Sequence, residues 1–290
     1  MKRYCLYLFI LIGISCSAEL KAQKNGTVYK GNDPAVRYTG RTLVSPDGSV
    51  AFDWVGTYLE TRFTGGKLSV KVSETGTSYY NVFVDGKLHK VVKVCGTDTL
   101  IHLVSGIDKR IHSLKIQKRS EGEFGKTTVH QFVLSGSGRL AEEPAVRTRH
   151  IEFIGNSLTC GYGTDGKHRD EPFLVETENC NLTFASMLAR YYDADYTLIA
   201  HSGRGAARNY GDSVRVSKVT MKDRMLNTFD EDLTHKWNFK EYRPDLVVIN
   251  LGSNDFSTEP HPYKSEFTKA YKQILAQPVS YTHLTLPTKA

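Results

Sequence analysis

Three residues of chemically useful types each follow a short apolar run. Ser157 comes after the run at residues 151–154, and Gly205 lies in a glycine-containing polar turn. Asn254 follows the run at residues 244–251, which is the strongest candidate for a buried strand in the chain. A serine hydroxyl is a candidate nucleophile when a base can accept its proton. Glycine N–H groups and an asparagine amide can stabilise the oxyanion that develops when such a hydroxyl attacks a carbonyl. Together these residue types predict acyl-transfer chemistry.

The apolar runs before these residues predict three buried strands. They cover residues 151–154, 195–200 and 244–251, and the segments between them have helical character. Strands that alternate with helices form parallel sheets, and ligands bind at the edge where the carboxyl ends of such strands meet. We therefore expect the three polar turns to lie together. For the first turn alone the alternative is a helix cap, provided by Ser157 or Thr159.

The order of these motifs resembles that of the SGNH (GDSL-like) hydrolases. The resemblance implies that the family's signature serine, glycine and asparagine are Ser157, Gly205 and Asn254, with Gly203 as the alternative glycine. The sequence is more narrowly similar to carbohydrate esterase family two, and the segments that carry this likeness are residues 155–163 and 208–211. An ordinary α/β-hydrolase matches less well, because the serine turn lacks the second glycine of the nucleophile elbow.

Carbohydrate esterase family two joins an amino-terminal β-sandwich to an SGNH domain and removes acetyl groups from plant polysaccharides. The resemblance thus implies an all-β jelly-roll sandwich followed by an α/β/α SGNH hydrolase domain. It also implies ester hydrolysis through a serine acyl-enzyme, with an acetylated polysaccharide or oligosaccharide as the substrate. Two alternatives stay open: a non-catalytic glycan-binding protein on the same scaffold, and a peptidoglycan or lipid esterase.

The general base is the part of the family pattern that this sequence lacks. SGNH hydrolases carry the base histidine in an Asp-x-x-His motif near the carboxyl terminus, and no such motif follows Asn254. Asp232 and His235 have this spacing but precede Asn254, and we interpret them as helix surface. His201 and His261 are the other substitutes. We expect the base histidine to be absent, the SGNH domain to be incomplete and the chain to be catalytically defective.

The sequence changes character near its carboxyl end. Residues 263–276 have the periodicity of an amphipathic helix. The segment at residues 278–290 does not continue that pattern, and it resembles a translated sequencing-adapter read-through; a genuine short tail is the alternative. We therefore predict that the SGNH domain covers residues 150–277 and that residues 278–290 are a non-native tail.

The amino terminus has the features of a leader. A basic start is followed by an apolar run at residues 4–14, which is too short to span a bilayer comfortably. Small residues come next, as is typical of a secretory signal peptide. We expect residues 1–22 to be this signal peptide and the protein to be exported, to the periplasm or the medium. Lipid anchoring at Cys16 is the alternative, and no other segment of the sequence predicts a membrane span.

Residues 26–137 predict an all-β domain. Residues 68–72 alternate between apolar and polar types, and an Asp85-Gly86 turn between two apolar runs predicts a hairpin. Several short strands with such turns are typical of a jelly roll. The mostly polar residues 138–149 predict a linker to the second domain.

Several aromatic residues could stack on sugar rings, or could belong to the core. In the second domain, Trp237 is the candidate substrate-binding residue. The four candidates in the β domain are Trp54, Tyr58, Tyr79 and Tyr80.

Composition excludes several other classes. The formal net charge is +7, but the basic residues are scattered among acidic ones and form no stripe of the kind that nucleic-acid binders show. No metal-ligand cluster, phosphate loop or dinucleotide fingerprint is evident, so we expect neither a metal nor a cofactor. Beyond the leader, Cys95, Cys160 and Cys180 allow at most one disulfide. The pair Cys160 and Cys180 is the first to test, and three small buried residues are the alternative.

Overall fold

The computed structural model describes residues 26–142 and 145–281, and the side chains among them as far as residue 278. The expected signal peptide at residues 1–22, with Cys16, and most of the expected tail lie outside the described residues.

The amino-terminal part is a β-rich domain dominated by two long antiparallel strands. These strands, β5 (Tyr58–Val84) and β6 (Lys87–Lys118), are joined by a turn at Asp85 and Gly86, whose φ angles are 50° and 74°. Positive φ at both central residues is what a two-residue hairpin turn of type I′ requires. The predicted hairpin is therefore confirmed. The eight strands are β1 (Gly26–Lys30), β2 (Val36–Thr39), β3 (Leu43–Val44), β4 (Val50–Phe52), β5 (Tyr58–Val84), β6 (Lys87–Lys118), β7 (Thr127–Ser135) and β8 (Arg139–Leu140).

These strands form one curled sheet. The order is β2-β5-β7-β4-β3, with β6 and β8 added to β5 and with β1 added to β7. Val82 in β5 pairs with both Lys90 and Ile116 of β6, so the long hairpin bends over on itself. The concave side holds one apolar core that includes Phe63 and Phe132. The β-rich domain is thus confirmed, and its pairing is that of a curled sheet rather than specifically a jelly roll.

The predicted linker at residues 138–149 begins with ordered structure. Strand β8 lies inside it, with Leu140 paired to Phe63 of β5. The Leu140 side chain is buried. A strand of only two residues, one of them apolar, gives no strand periodicity, which is why the sequence did not reveal it.

The second part is built on a three-stranded parallel sheet, in which β9 (His150–Gly155) lies between β10 (Asp195–Ala200) and β11 (Leu246–Ile249). Ile154 in the central strand is aligned with Ile199 on one side and Ile249 on the other, and both pairings are parallel. The predicted arrangement of three strands with their carboxyl ends at one edge is confirmed. The elements are β9 (His150–Gly155), α1 (Ser157–Cys160), α2 (Phe184–Tyr191), β10 (Asp195–Ala200), α3 (Met221–Arg224), β11 (Leu246–Ile249) and α4 (Lys264–Tyr281).

Both faces of this sheet are covered. Successive side chains of a strand point to opposite faces, so Phe153 packs on one side with α2, and Ile154 packs on the other with α3 and α4. The β-rich domain contributes to both layers. Trp54 enters the second core, while Tyr58 enters the first and donates a hydrogen bond of 2.6 Å to Asp195 at the start of β10.

These contacts decide most of the aromatic candidates of the β domain. The exposed fractions of Trp54, Tyr58 and Tyr80 are 0%, 1% and 3%, so these three rings are core residues and cannot stack on a sugar. Tyr79 is half-buried, and its hydroxyl lies 3.3 Å from a carboxylate oxygen of Glu176.

Helix α4 runs further than the sequence predicts. It continues past Pro278 to Tyr281, so the expectation that the helix stops before residue 278 is wrong. A proline removes one intrahelical hydrogen bond. Pro278 and Ile274 are both buried and lie one turn apart on the same face, and this packing compensates for the lost bond. Across the described residues, no helix combines the length and apolar character that crossing a bilayer requires.

Candidate active site

Ser157 is the first residue of α1, directly after the central strand β9. Asn156 caps this helix, and its side-chain oxygen accepts a hydrogen bond of 3.2 Å from the Leu158 N–H. The cap is therefore Asn156, not Ser157 or Thr159. As the first helical residue, Ser157 has no intrahelical acceptor for its backbone N–H. Ser157 is only half-buried, so it is partly accessible although its turn is well packed.

The turn that carries Ser157 is held tightly on both sides. A Cβ on Gly155 would lie 2.0 Å from Oγ1 of Thr159, so only glycine fits there. Gly161 ends the helix with φ 88°, and the N–H groups of Gly161 and Tyr162 both donate to the Ser157 carbonyl. These contacts leave the Ser157 backbone little freedom.

The turn after β10 needs glycine at two positions for different reasons. Gly203 has φ 72°, which favours glycine over residues with a side chain. Gly205 is restricted by space, since an added Cβ would lie 2.0 Å from the Arg208 carbonyl oxygen and 2.5 Å from a carboxylate oxygen of Asp255. The Gly205 N–H points to Oδ1 of Asn209 at 3.4 Å, which is a long hydrogen bond.

Asp255 organises the glycine turn from the neighbouring strand end. Its carboxylate accepts hydrogen bonds of 3.0, 2.7 and 2.9 Å from the N–H groups of Ala206, Ala207 and Arg208. Asp255 therefore orders the segment after β10 rather than the turn in which it lies itself. Arg208 and Asn209 hold the same segment by hydrogen bonds to backbone carbonyls. The Arg208 guanidinium donates to backbone carbonyls, that of Val214 among them.

Asn254 joins the third turn to the other two. Its side chain is 9% exposed, and Nδ2 donates to the Arg204 carbonyl at 2.8 Å. A side-chain amide has two N–H groups, so one remains for a ligand. The Asn156 side chain donates to Oγ of Ser253 at 2.9 Å, which connects the serine turn to the asparagine turn. The structure thus confirms that the three predicted turns meet at one edge of the sheet.

His201 follows β10 but is locked in an ionic cluster. Its Nδ1 lies 2.7 Å from Oδ2 of Asp230, its Nε2 lies 3.4 Å from Oε2 of Glu123, and its side chain is 1% exposed. Burial disfavours the charge on His201, but the carboxylates of Asp230, Glu123 and Glu121 outweigh it and raise its pKa to about 10. A histidine that is already protonated cannot accept the proton of a serine.

The other two substitute histidines are also engaged elsewhere. His235 pairs with Asp232 at 2.6 Å in an exposed turn, so the interpretation of this pair as helix surface is wrong. His261 lies in an exposed loop, 3.4 Å from a carboxylate oxygen of Glu259. No hydrogen bond connects any histidine to the Ser157 hydroxyl within the part of the chain that the structure describes.

Trp237 lies at the opposite edge of the parallel sheet. Its ring is 5.5 Å from the Arg41 guanidinium and 5.8 Å from the Tyr242 ring. Tyr242 in turn stacks on His150, the first residue of β9, at 4.5 Å. Because Ser157 follows the carboxyl end of β9, the structure does not bring Trp237 to the candidate site.

A buried pair of carboxyl groups under the site has no signal in the sequence. The Glu121 N–H donates to Oε2 of Glu178 at 3.0 Å, and Oε2 of Glu121 accepts a hydrogen bond of 2.6 Å from the Ser202 N–H. Burial raises the pKa of Glu121, and burial together with the Glu121 charge raises the pKa of Glu178 to about 10. Two glutamates at residues 121 and 123 look like an exposed polar turn, so only the tertiary contacts reveal the pair.

The cysteines do not form the disulfide that we singled out for testing. All three described cysteines are free thiols. Cys160 donates to a Glu121 carboxylate oxygen and Cys180 to the Lys118 carbonyl, each at 3.4 Å. The alternative of buried thiols holds for these two, whereas Cys95 is exposed.

Two groups of side chains place donor atoms close enough to share an ion. They are Glu121, Cys160 and Glu178, and His201, Asp230 and Glu231. In the second group Arg224 already supplies a positive charge, with Nη1 lying 2.8 Å from carboxylate oxygens of Asp230 and Glu231. In the first group the pKa values of Glu121 and Glu178 are raised, so the two carboxyl groups favour a shared proton over a metal ion.

Known families match both parts of the chain. A profile described as carbohydrate esterase 2 N-terminal matches residues 38–144, and one described as GDSL-like lipase/acylhydrolase matches residues 151–288. The chain is 34% identical, over 246 residues, to the cellulase/esterase CelE of Acetivibrio thermocellus. It is 33% identical, over 226 residues, to an acetylxylan esterase/glucomannan deacetylase of Cellvibrio japonicus. These alignments cover 85% and 76% of this chain, which spans 30% and 61% of the lengths of the two relatives.

Solved structures show the same likeness. A family two carbohydrate esterase from Clostridium thermocellum, in complex with cellohexaose, superposes with a TM-score of 0.80 at 33% identity. The match covers 86% of this chain and 74% of that one. A family two carbohydrate esterase from Cellvibrio japonicus gives a TM-score of 0.81 at 24% identity, over 89% and 76% of the two chains. The chain therefore belongs to the SGNH (GDSL-like) hydrolases, and among them it is akin to carbohydrate esterase family two.

Proposed function

We propose that this chain is part of an exported carbohydrate O-acetyl esterase that removes acetyl groups from plant polysaccharides or their oligosaccharides. The observation that carries the proposal is the meeting of Ser157, the glycine turn and Asn254 at one edge of the parallel sheet. The names of the relatives support the substrate class, since they include an acetylxylan esterase and a glucomannan deacetylase. We also retain the proposed division into a β domain at 26–137, a linker at 138–149 and an SGNH domain at 150–277.

The proposed reaction proceeds through an acyl-enzyme. The Ser157 hydroxyl attacks the acetyl carbonyl, the sugar oxygen leaves with a proton, and water then hydrolyses the acetyl-serine. The Ser157 N–H, the second N–H of the Asn254 amide and an N–H of the glycine turn bind the oxyanion. We assign the third donor to Gly205, with Gly203 as the alternative. Loss of one such donor typically raises the barrier by about 3–4 kcal/mol.

We propose that the general base is a histidine that these 290 residues do not include, since no Asp-x-x-His motif follows Asn254. His201 cannot serve, because its pKa of about 10 keeps it protonated at neutral pH. An unassisted serine hydroxyl is a weak nucleophile, so we propose that the 290-residue chain alone is catalytically defective. To test this point, the 290-residue chain is expressed beside the protein in which the gene's own sequence replaces residues 278–290. We call this second protein the product of the uninterrupted gene. Equal acetate release by the two proteins would show that the base lies within these 290 residues.

The nucleophile assignment has its own test. In the product of the uninterrupted gene, Ser157→Ala should abolish acetate release from acetylated xylan while circular dichroism and the melting temperature stay close to those of the wild type. Turnover near the wild-type level would refute the assignment. Comparing acetyl with longer acyl esters, and xylan with peptidoglycan, separates this proposal from a lipid or peptidoglycan esterase.

A non-catalytic role in glycan binding is the second candidate. It is favoured by the complex of a relative with cellohexaose, and by a solved relative whose active site is described as having divergent catalytic and non-catalytic binding functions. Titration of the Ser157→Ala protein with cellohexaose distinguishes the roles. If this variant binds cellohexaose and the wild-type protein releases no acetate, the glycan-binding role is favoured.

A further inference from the structure

The β-rich domain places one carboxylate beneath the candidate active site. Glu121 follows β6 and is fully buried. Its Oε2 atom accepts a hydrogen bond of 2.6 Å from the Ser202 N–H, in the turn that continues to Gly203 and Gly205. The same atom accepts a hydrogen bond of 3.4 Å from the thiol of Cys160, the last residue of the helix that begins at Ser157. One carboxylate oxygen from the first domain thus contacts two catalytic segments of the second.

We propose that Glu121 is a positioning residue for the esterase reaction and holds the glycine turn in register with the helix that carries Ser157. The β-rich domain then forms part of the support of the active site and is not a separable carbohydrate-binding module. This inference rests on the proposed function, since it assigns a role in that reaction.

Glu178 completes the arrangement as a protonated partner. With a pKa raised to about 10, it keeps its proton at neutral pH and can donate it to the Glu121 carboxylate. The segment that carries Glu178 is itself fixed to the β-rich domain, because the Arg119 side chain donates to the Glu178 carbonyl at 2.7 Å and to the Glu176 carbonyl at 2.9 Å. The charged groups that face the pair are His201, which favours the Glu121 carboxylate, and Lys118, which opposes the rise at Glu178.

The chain offers a matched control for simple attachment of the domains. Tyr58 of the β-rich domain donates a buried hydrogen bond of 2.6 Å to Asp195, at the amino end of the same sheet. Tyr58→Phe removes a contact between the domains as Glu121→Ala does, but at the edge away from Ser157. If Glu121 only attaches the domains to each other, the two substitutions should have similar effects on exchange of the Ser202 amide and on kcat. If Glu121 positions the glycine turn, only Glu121→Ala should change these two quantities.

The first measurement is amide hydrogen exchange in the 290-residue chain. Glu121→Ala should speed exchange of the Ser202 amide at least about tenfold, which corresponds to about 1.4 kcal/mol of lost protection. Glu121→Gln keeps an acceptor oxygen for this amide and should leave the rate within about threefold of the wild type, a difference below 1 kcal/mol. Equal exchange of this amide in the Ala variant and the wild type would overturn the inference.

The second measurement is steady-state acetate release by the product of the uninterrupted gene. Glu121→Ala should lower kcat by about a hundredfold, the loss that a displacement of about 1 Å can cause. KM should change little, Glu121→Gln should restore most of kcat, and Tyr58→Phe should lower only the melting temperature. Unchanged kcat in Glu121→Ala would refute positioning. A wild-type protein without acetate release would instead refute the proposed function, and the exchange of the Ser202 amide would still decide whether Glu121 holds the turn.

Discussion

Asn254→Ala separates a catalytic role from a structural role most sharply. In the structure the Asn254 side chain makes one neutral hydrogen bond, of 2.8 Å, to the Arg204 carbonyl. Such a bond contributes a net stability of about 0.5–1.5 kcal/mol. In a protein of this size that loss lowers the melting temperature by roughly 2–4 °C per kcal/mol. The stability of the variant should therefore fall only slightly.

The expected effect on turnover is much larger. If the second N–H of Asn254 binds the oxyanion, its removal raises the barrier by about 3–4 kcal/mol and lowers kcat by about a hundredfold to a thousandfold. Asn254→Asp should be at least as inactive, because a carboxylate of similar size offers no N–H and repels the developing negative charge. The measurements are kcat for acetate release by the product of the uninterrupted gene, per folded molecule, and the melting temperature of the same preparations.

Tyr242→Phe is the matched control for this experiment. The Tyr242 hydroxyl donates a hydrogen bond of 2.5 Å to Glu152, near the amino end of the sheet and away from Ser157. Because a hydrogen bond to a charged group contributes about 1.5–3 kcal/mol, its loss should lower the melting temperature at least as much as Asn254→Ala does and should leave kcat unchanged. If Asn254→Ala lowers the melting temperature strongly while turnover per folded molecule stays at the wild-type level, Asn254 is a structural residue and our assignment is wrong.

Three further predictions concern the support of the site. Asp255→Ala leaves three buried N–H groups without their acceptor; at about 1–3 kcal/mol for each unpaired donor, stability in urea should fall by about 3 kcal/mol or more, and an unchanged midpoint would contradict this account. Gly205→Ala places a Cβ 2.0 Å from a backbone oxygen, whereas Gly163→Ala meets nothing within 4 Å but takes a φ of 68°, which costs a residue with a side chain about 1–2 kcal/mol. Thermal melts should show a loss for Gly205→Ala at least as large as for Gly163→Ala, since overpacking against backbone costs about 1–3 kcal/mol and occasionally more. Glu178→Gln should flatten the dependence of stability on pH. Because its pKa is raised to about 10, the folded state keeps a proton that the unfolded chain releases near pH 4.3, so the stabilisation is full below that pH and is lost as the pH rises towards 10. Urea titrations between pH 6 and 9 should show a slope smaller by up to about 1.4 kcal/mol per pH unit in the variant, and identical slopes would refute a protonated Glu178.

The parts of the site that the sequence predicted correctly are those encoded by neighbouring residues. A buried strand such as β9 is an apolar run, and the turn that follows it is marked by glycine and asparagine within a few positions. The alternation of strands and helices then places Ser157 and Asn254 at the same edge without any knowledge of contacts. The same logic identified the hairpin at Asp85, where two turn residues separate two apolar runs.

The parts that the sequence did not predict depend on contacts between distant positions. Nothing near Glu121 in the sequence indicates that its carboxylate meets Cys160 and Ser202. His201 is equally ambiguous, because its role as a fixed cation depends on Asp230, which is 29 residues away. Strand β8 and the last turn of α4 were missed for a related reason, since burial of one or two side chains outweighs an unfavourable local pattern there.

The ionic cluster explains why a histidine beside the site is not available as a base. Glu123 and Asp230 face the two ring nitrogens of His201, and the Glu121 carboxylate adds further negative charge. A neutral His201 would remove the positive charge that faces Glu121 and Glu123 and would leave Arg224 as the remaining cation beside Asp230, and this penalty keeps the His201 proton in place. A base for Ser157 must instead have a pKa near the working pH and approach from the open side of the serine turn. Because Glu121 and Glu123 both come from the β-rich domain, that domain supplies acidic groups on the closed side of the site and leaves the base to another segment.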